Sequence, residues 1–262
     1  MATRTRETSE SAPAQVLERG DLYFFYRPKI EDQVARGPDD VSRLYLVMHP
    51  RRRRTFRLMI VGEKYLPAVG GGGDRRAWAF VEKVGLRPEE VEDELDPHDD
   101  LTQTRGERHV PAARPAGEGV YALSKHGDHT HLAYALELPQ RPGDVQRALG
   151  IVDEGSYVIS VKDPDAASPP RVGLDPSRRA RFPASLRARF DGHRFVPVDP
   201  PDFLDHEGAE LLLIGATKDV RAELGFDLHP AHESAASAEI FRQLKVEKAQ
   251  HVIAPLFQGR WA

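Results

Sequence analysis

The chain contains no cysteine, and this absence limits the chemistry it can carry. Disulfide bonds, thiolate metal sites and cysteine nucleophiles are all excluded. The sequence also lacks any apolar run close to the roughly 18 residues that indicate a membrane-spanning helix. Its polar N-terminus has no signal-peptide core. We therefore expect a cytoplasmic protein that has no membrane partner.

Complete catalytic and cofactor motifs are missing as well. The glycine run at residues 70–73 is not followed by the lysine and the serine or threonine of a phosphate-binding P-loop. His206 is followed by Glu207, but no second histidine completes an HExxH zinc motif. The sequence therefore leaves open whether the protein is an enzyme.

The composition is that of an ordinary globular protein. The chain has 262 residues, of which 40% are hydrophobic, so it can bury a sizeable core. Residues 1–15 are polar and are predicted to form a disordered tail. Residues 16–262 are predicted to form a single globular unit, with two lobes divided near residues 101–115 as the alternative.

Alternating and apolar segments indicate an antiparallel sheet. The segments RLYLVM and FRLMIV read as two strands of a hairpin, and SYVISVK and AELLLIGA as two further strands. Between the strands lie short helical patterns such as VQRALG, PASLRARF and TKDVRAELG. Because strands and long helices do not alternate regularly, we predict an α+β fold. It would consist of a mostly antiparallel sheet built from hairpins, with short helices packed on one face or end.

The segment GVYALSKHGDHTHLAYALELP reads as a β-hairpin that turns at Gly127 and Asp128. This turn pairs Tyr121 with Tyr134 and Leu123 with Leu132, as expected for two strands that share an apolar face. It also places Ser124 and three histidines together on the opposite face, which we expect to be outside the core. The three histidines are His126, His129 and His131.

Three histidines on one hairpin permit a metal site. Neutral imidazoles bind zinc, and a three-histidine site with an open position suits catalytic zinc. A histidine can also act as acid or base without metal. The remaining interpretation is an ordinary polar hairpin tip.

Two arginine clusters are the strongest charge features in a chain whose formal net charge is −4. The first joins two predicted strands, and the second lies in residues 171–194, which hold seven arginines and two acidic residues. Arginine forks match phosphate and carboxylate oxygens. Phe182 and Phe190, interleaved with the second cluster, either stack on bases or form the buried side of an amphipathic element. The predicted anion-binding residues are Arg51, Arg52, Arg53, Arg54, Arg178, Arg179, Arg187 and Arg189.

An acidic segment precedes the strand AELLLIGA. It contains Asp202, Asp205, His206 and Glu207. Carboxylates at the entrance of a strand can hold magnesium or manganese. The simpler interpretation is a solvated acidic turn.

These observations lead to two hypotheses about function. The first is a cytosolic binding or regulatory module that contacts an anionic partner, nucleic acid or an acidic protein surface, through the arginine clusters. It requires that the two clusters lie on one face of the folded protein. The alternative is a metal-dependent hydrolase centred on His126, His129 and His131, with a divalent metal such as zinc as cofactor.

Overall fold

A computed structural model describes residues 14–29, 34–71, 75–102, 106–169, 172–234, 236–247 and 251–262. Residues 1–13 of the predicted N-terminal tail lie outside the described residues. The strands are β1 Gln15–Pro28, β2 Val41–Pro50, β3 Phe56–Val61, β4 Arg76–Gly85, β5 His98–Thr102, β6 Gly106–Val110, β7 Arg114–His126, β8 His129–Leu138, β9 Glu154–Lys162, β10 Phe195–Pro197 and β11 Glu210–Gly215. The α-helices are α1 Glu89–Glu92, α2 Asp144–Ala148, α3 Ala184–Arg187, α4 Val220–Leu224, α5 Glu239–Gln243 and α6 Ala254–Gln258.

Eight antiparallel strands close into a barrel. Their order is β9–β11–β4–β3–β2–β1–β7–β8, and β8 pairs with β9 to complete the ring. The short strand β10 pairs with the end of β9, and β5 and β6 form a separate two-stranded hairpin. Closure leaves the barrel wall without free edges, which is one way that β-proteins avoid unwanted pairing.

The prediction of an α+β fold is therefore wrong, although its antiparallel sheet of hairpins is confirmed. An α+β fold would have helices covering an open sheet. Here the sheet closes on itself because β8 pairs with both β7 and β9. The described α-helices contain only four or five residues each. The alternative of two lobes divided near residues 101–115 stays a prediction.

The interior of the barrel is filled with alternate side chains of its strands. In β1, Leu22, Phe24 and Tyr26 belong to the central core, whereas Tyr23 and Phe25 belong to a second cluster outside the barrel. All five are fully buried. An eight-stranded barrel is just wide enough for its inward side chains to fill it.

Short helices bury much of the outer surface of the barrel. Ile240 of α5 and Leu256 of α6 pack in the cluster that covers Tyr23 and Phe25. Val220 and Leu224 of α4 cover the outer face of β7 and β8. Among the described residues, no helix has the length and apolar character needed to cross a membrane.

Segment 163–209, which connects β9 to β11, is called the cap, and its described residues fold over one end of the barrel. Three of its aromatic rings lie together: Phe182 and Phe190 each contact Phe203, with ring centroids 5.3 and 5.6 Å apart. All three belong to the same core as the barrel interior. The cap is thus anchored to the barrel by apolar packing.

Gly20 allows one close approach inside the barrel. A Cβ atom at this position would lie 2.2 Å from the carbonyl oxygen of His49 and 2.5 Å from Cε1 of Tyr121. We expect Gly20→Ala to lower the free energy of unfolding by about 1–3 kcal/mol, as overpacking of a core does. Urea denaturation measures this change. Gly37→Ala is the control, because nothing lies within 4 Å of its Cβ position; equal stability losses would contradict the packing argument.

Candidate anion-binding site

The strand registers bring the charged segments of the sequence to one end of the barrel. Gly20 pairs with Pro50 and Phe56 with Gly85, so the Arg51–Arg54 connection lies where β1 begins and β4 ends. The histidine hairpin turns at the same end, because its last ladder pair is His126 with His129. The cap leaves β9 and enters β11 there as well. We call this region the capped end.

Arg57 is the charged group at the centre of the capped end. Like Met59 and Val61 on the same strand β3, Arg57 points into the barrel, and its side chain is fully buried. Two of its nitrogens donate to the two carboxylate oxygens of Glu18, at 2.6 and 3.1 Å. Its Nε donates to Asp205 of the cap at 2.7 Å. Arg57 therefore joins β1, β3 and the cap.

The protonation states in this network follow from its geometry. Burial lowers the pKa of Arg57, but Glu18, through its charge and hydrogen bonds, acts together with Tyr121 and Asp205 to raise it, so Arg57 stays charged. Burial raises the pKa of the Tyr121 hydroxyl well above its usual value. That hydroxyl therefore keeps its proton and donates to Glu18 at 2.7 Å.

The first arginine cluster is only partly neutralised. Arg51 donates to Asp21, and Arg53 donates to Asp202 and Asp205 at 2.6 and 2.7 Å. Arg52 and Arg54 are exposed, and no hydrogen bond or ion pair joins their side chains to another described residue. The acidic segment predicted as a turn supplies the partners of Arg53 and Arg57.

The second arginine cluster is also only partly neutralised. In the cap, Arg178 pairs with Glu82 of β4, and Arg187 pairs with Asp165. Arg179 is held by the carbonyl oxygens of Leu174 and Pro164. The exposed side chains of Arg181 and Arg189 make no hydrogen bond or ion pair within the described part of the chain.

The two clusters flank one short segment of the cap. A cavity of about 650 Å³ is lined by Arg51, Arg52 and Arg53 on one side and by Pro200 and Asp202 on the other. A second cavity, of about 630 Å³, is lined by Arg178, Arg179 and Arg181 together with Asp205 and His206. Segment 200–208 thus lies between arginines that are more than 120 residues apart in the sequence.

The phenylalanines beside the second cluster are core residues. Phe182 and Phe190 are 6% and 4% exposed, and both belong to the main core. They cannot stack on bases without unfolding the cap. The structure therefore supports the interpretation of these rings as the buried side of an amphipathic element. Arg187 and Arg189 lie on its exposed side.

The register predicted for the histidine hairpin is confirmed. His126 pairs with His129, Ser124 with His131, Leu123 with Leu132 and Tyr121 with Tyr134. The prediction that the histidine face lies outside the core is wrong for its inner part, because α4 covers it. His131 is 4% exposed and Ser124 is fully buried.

The hairpin does not gather a metal site. No group of three histidine, aspartate or glutamate side chains among the described residues is arranged to hold a metal ion. The rings of His126 and His131 are tilted, with centroids 5.9 Å apart. His131 Nδ1 lies 3.9 Å from Glu223 of α4, and Glu223 accepts a hydrogen bond from Ser156. The three-histidine zinc site and the hydrolase built on it therefore gain no support, and the same holds for magnesium or manganese at Asp202 and Asp205.

Sequence reasoning missed the residues that organise the capped end. Arg57 and Glu18 were not singled out, and Tyr121 and Asp205 were named only for the hairpin register and the acidic segment. Arg57 carried a detectable signal, because a charged residue in phase with Met59 and Val61 on a strand points inward. Its pairing with Glu18 and Asp205 carried none, since both lie far from it in the sequence.

Comparisons with protein-family models, curated proteins and solved structures find no match.

The burial of His131 gives a prediction about pH. Burial lowers its pKa, Glu223 opposes this effect, and His126 and His129 add to it. The unfolded chain then takes up a proton on this residue more readily than the folded protein. Stability is therefore lost as pH falls through the ordinary histidine pKa of about 6.5.

Between pH 7.5 and pH 5.5, about one unit either side of that pKa, we expect the free energy of unfolding to fall less in His131→Gln than in the wild type. Urea denaturation at the two pH values measures this change. His129→Gln is the matched control, because His129 is exposed on the same strand. If the stability of His131→Gln fell with pH as steeply as that of the wild type, His131 would not be the group that causes the pH dependence.

Proposed function

We propose that the protein binds a polyanion, specifically the phosphate backbone of a nucleic acid, through exposed arginines of the capped end. One observation carries the proposal: two arginine clusters that are distant in the sequence flank the same segment of the cap. This function requires the two clusters to lie on one face, and their position beside the same segment supports that arrangement.

Exposed arginines that no described side chain neutralises support the proposal. Arg52, Arg54 and Arg189 are exposed, and no described side chain neutralises them. Because the neighbouring arginines are held by Asp21, Asp202, Asp205 and Asp165, the loops that carry the free ones are fixed. Fixed cations lose less conformational entropy when they bind.

The choice of arginine favours phosphate as the group recognised. Residues 163–209 contain seven arginines and no lysine, and residues 51–54 are all arginine. A planar guanidinium binds phosphate through two parallel hydrogen bonds, which lysine cannot do. The formal net charge of −4 confines binding to this end, because the rest of the surface repels a polyanion. Without exposed aromatic rings in the second cluster, binding would depend on the backbone and not on base stacking.

The test is fluorescence anisotropy with labelled duplex DNA and duplex RNA at two salt concentrations. We expect the triple variant Arg52→Gln, Arg54→Gln, Arg189→Gln to bind at least about tenfold more weakly than the wild type at low salt. The affinity of the variant should also fall less steeply with salt. Each phosphate contact contributes about one unit to the slope of log affinity against log salt concentration.

The control variant is Arg36→Gln, Arg43→Gln, Arg141→Gln. It removes the same charge from exposed arginines, and Arg43 lies at the opposite end of the barrel, where it pairs with Arg27. It should retain wild-type affinity. Absence of binding to either duplex, equal losses in both variants, or equally tight binding of polyglutamate would contradict the proposal, and the last result would indicate an acidic protein partner.

A further inference from the structure

We infer that the cap contains a site for a small ligand that carries a phosphate monoester. The site is a cavity of about 470 Å³ between the start of the cap and α3, lined by Arg179, Arg181, Arg187, Asp165, Pro164 and Pro176, among others. It shares Arg179 and Arg181 with the 630 Å³ cavity, but Arg52, Arg54 and Arg189, the arginines that the nucleic-acid test substitutes, do not line it.

Arg179 is held ready to bind. Its Nε donates to the carbonyl oxygen of Leu174 at 3.3 Å, and its Nη1 donates to that of Pro164 at 2.9 Å. Its side chain is only 22% exposed. No hydrogen bond to a described residue uses Nη2, so this nitrogen is free for a ligand. A guanidinium whose rotamer is already fixed loses little entropy on binding.

The loop that forms one wall of the cavity is fixed from below by a buried ion pair. Lys162 donates to Glu210 at 2.8 Å, and both side chains are almost fully buried. The other oxygen of Glu210 accepts from the backbone nitrogen of Leu174 at 2.9 Å and from Ser168 at 3.2 Å. Arg179 therefore rests on a loop that is anchored to β9 and β11.

The charge of the cavity selects the kind of anion. Three arginines line it, and the only acidic residue among the lining residues that are described is Asp165, which pairs with Arg187 at 2.8 Å. Arg179 Nε also lies 3.9 Å from Glu210, whose charge Lys162 balances, so the excess is two positive charges. A phosphate monoester carries a charge of about −1.5 to −2 at neutral pH, whereas a carboxylate carries only one. Guanidinium forks also match the oxygens of phosphate.

Arg181 connects this cavity to the neighbouring one. Arg179 and Arg181 line both the 470 Å³ cavity and the 630 Å³ cavity. Arg181 is exposed and has no partner among the described residues, so it can turn toward a ligand. Pro164 and Pro176 give the smaller cavity apolar surface beside its charges. The geometry therefore suits a phosphate attached to a compact organic group.

The experiment titrates the full-length protein with phenyl phosphate, inorganic phosphate and benzoate, using isothermal titration calorimetry. We expect one saturable site for phenyl phosphate, and benzoate binding at least about tenfold weaker, because it has half the charge. The double variant Arg181→Gln, Arg187→Gln should bind phenyl phosphate at least about tenfold more weakly. Arg179→Lys, which keeps the charge and removes the fork, should also weaken binding.

Arg43→Gln is the control. Arg43 is an exposed arginine at the opposite end of the barrel, and it does not line the cavity. It should bind phenyl phosphate like the wild type, and circular dichroism confirms that each variant is folded. No saturable phosphate binding, equal affinity for benzoate, or an equal loss in Arg43→Gln would overturn the inference. Because the triple variant Arg52→Gln, Arg54→Gln, Arg189→Gln leaves the cavity intact, failure of nucleic-acid binding and failure of phosphate binding remain distinguishable.

Discussion

The buried guanidinium of Arg57 is the constraint on which the capped end depends. It lies inside the barrel, where an unpaired charge costs several kcal/mol, and it is compensated by Glu18 and Asp205 together. Glu18 belongs to β1, whereas Asp205 belongs to the cap. Glu18 neutralises Arg57 from within the barrel wall, and the Nε–H of Arg57 finds its acceptor in Asp205 when the cap is closed over the end. Apolar packing of Phe182, Phe190 and Phe203 acts in the same direction.

The same arrangement determines which arginines are available for binding. Asp205 receives Arg57 on one oxygen and Arg53 on the other, and Asp202 receives a second nitrogen of Arg53. Acidic residues of the cap thus neutralise Arg53 and Arg57, and they leave Arg52 and Arg54 without a partner among the described residues. A cap that is fixed in this way holds in place both the exposed arginines of the capped end and the cavity lined by Arg179. Structure and proposed function are linked through one short segment of the cap.

Local patterns were sufficient to predict the β7–β8 hairpin, because a two-residue turn and a period of two fix its register. They could not predict that β8 also pairs with β9, nor that β1 pairs with β7 about 100 residues later, since neither contact has a local signature. The burial of His131 was missed for the same reason: it is covered by α4, which follows some 90 residues later. The arginines of the site were found from the sequence because unbroken positive charge is visible there. Arg57 and its pairing with Glu18 and Asp205 required the fold.

The most direct test of this account is hydrogen exchange of the Asp205→Asn variant, followed by mass spectrometry. Asp202→Asn is the control, because Asp202 lies in the same turn but contacts only Arg53. The account predicts that Asp205→Asn speeds exchange in cap residues 195–209 and leaves β1 and β2 protected, whereas Asp202→Asn changes the cap much less. Equal exchange of the cap in the two variants would contradict the claim that Arg57 holds the cap in place.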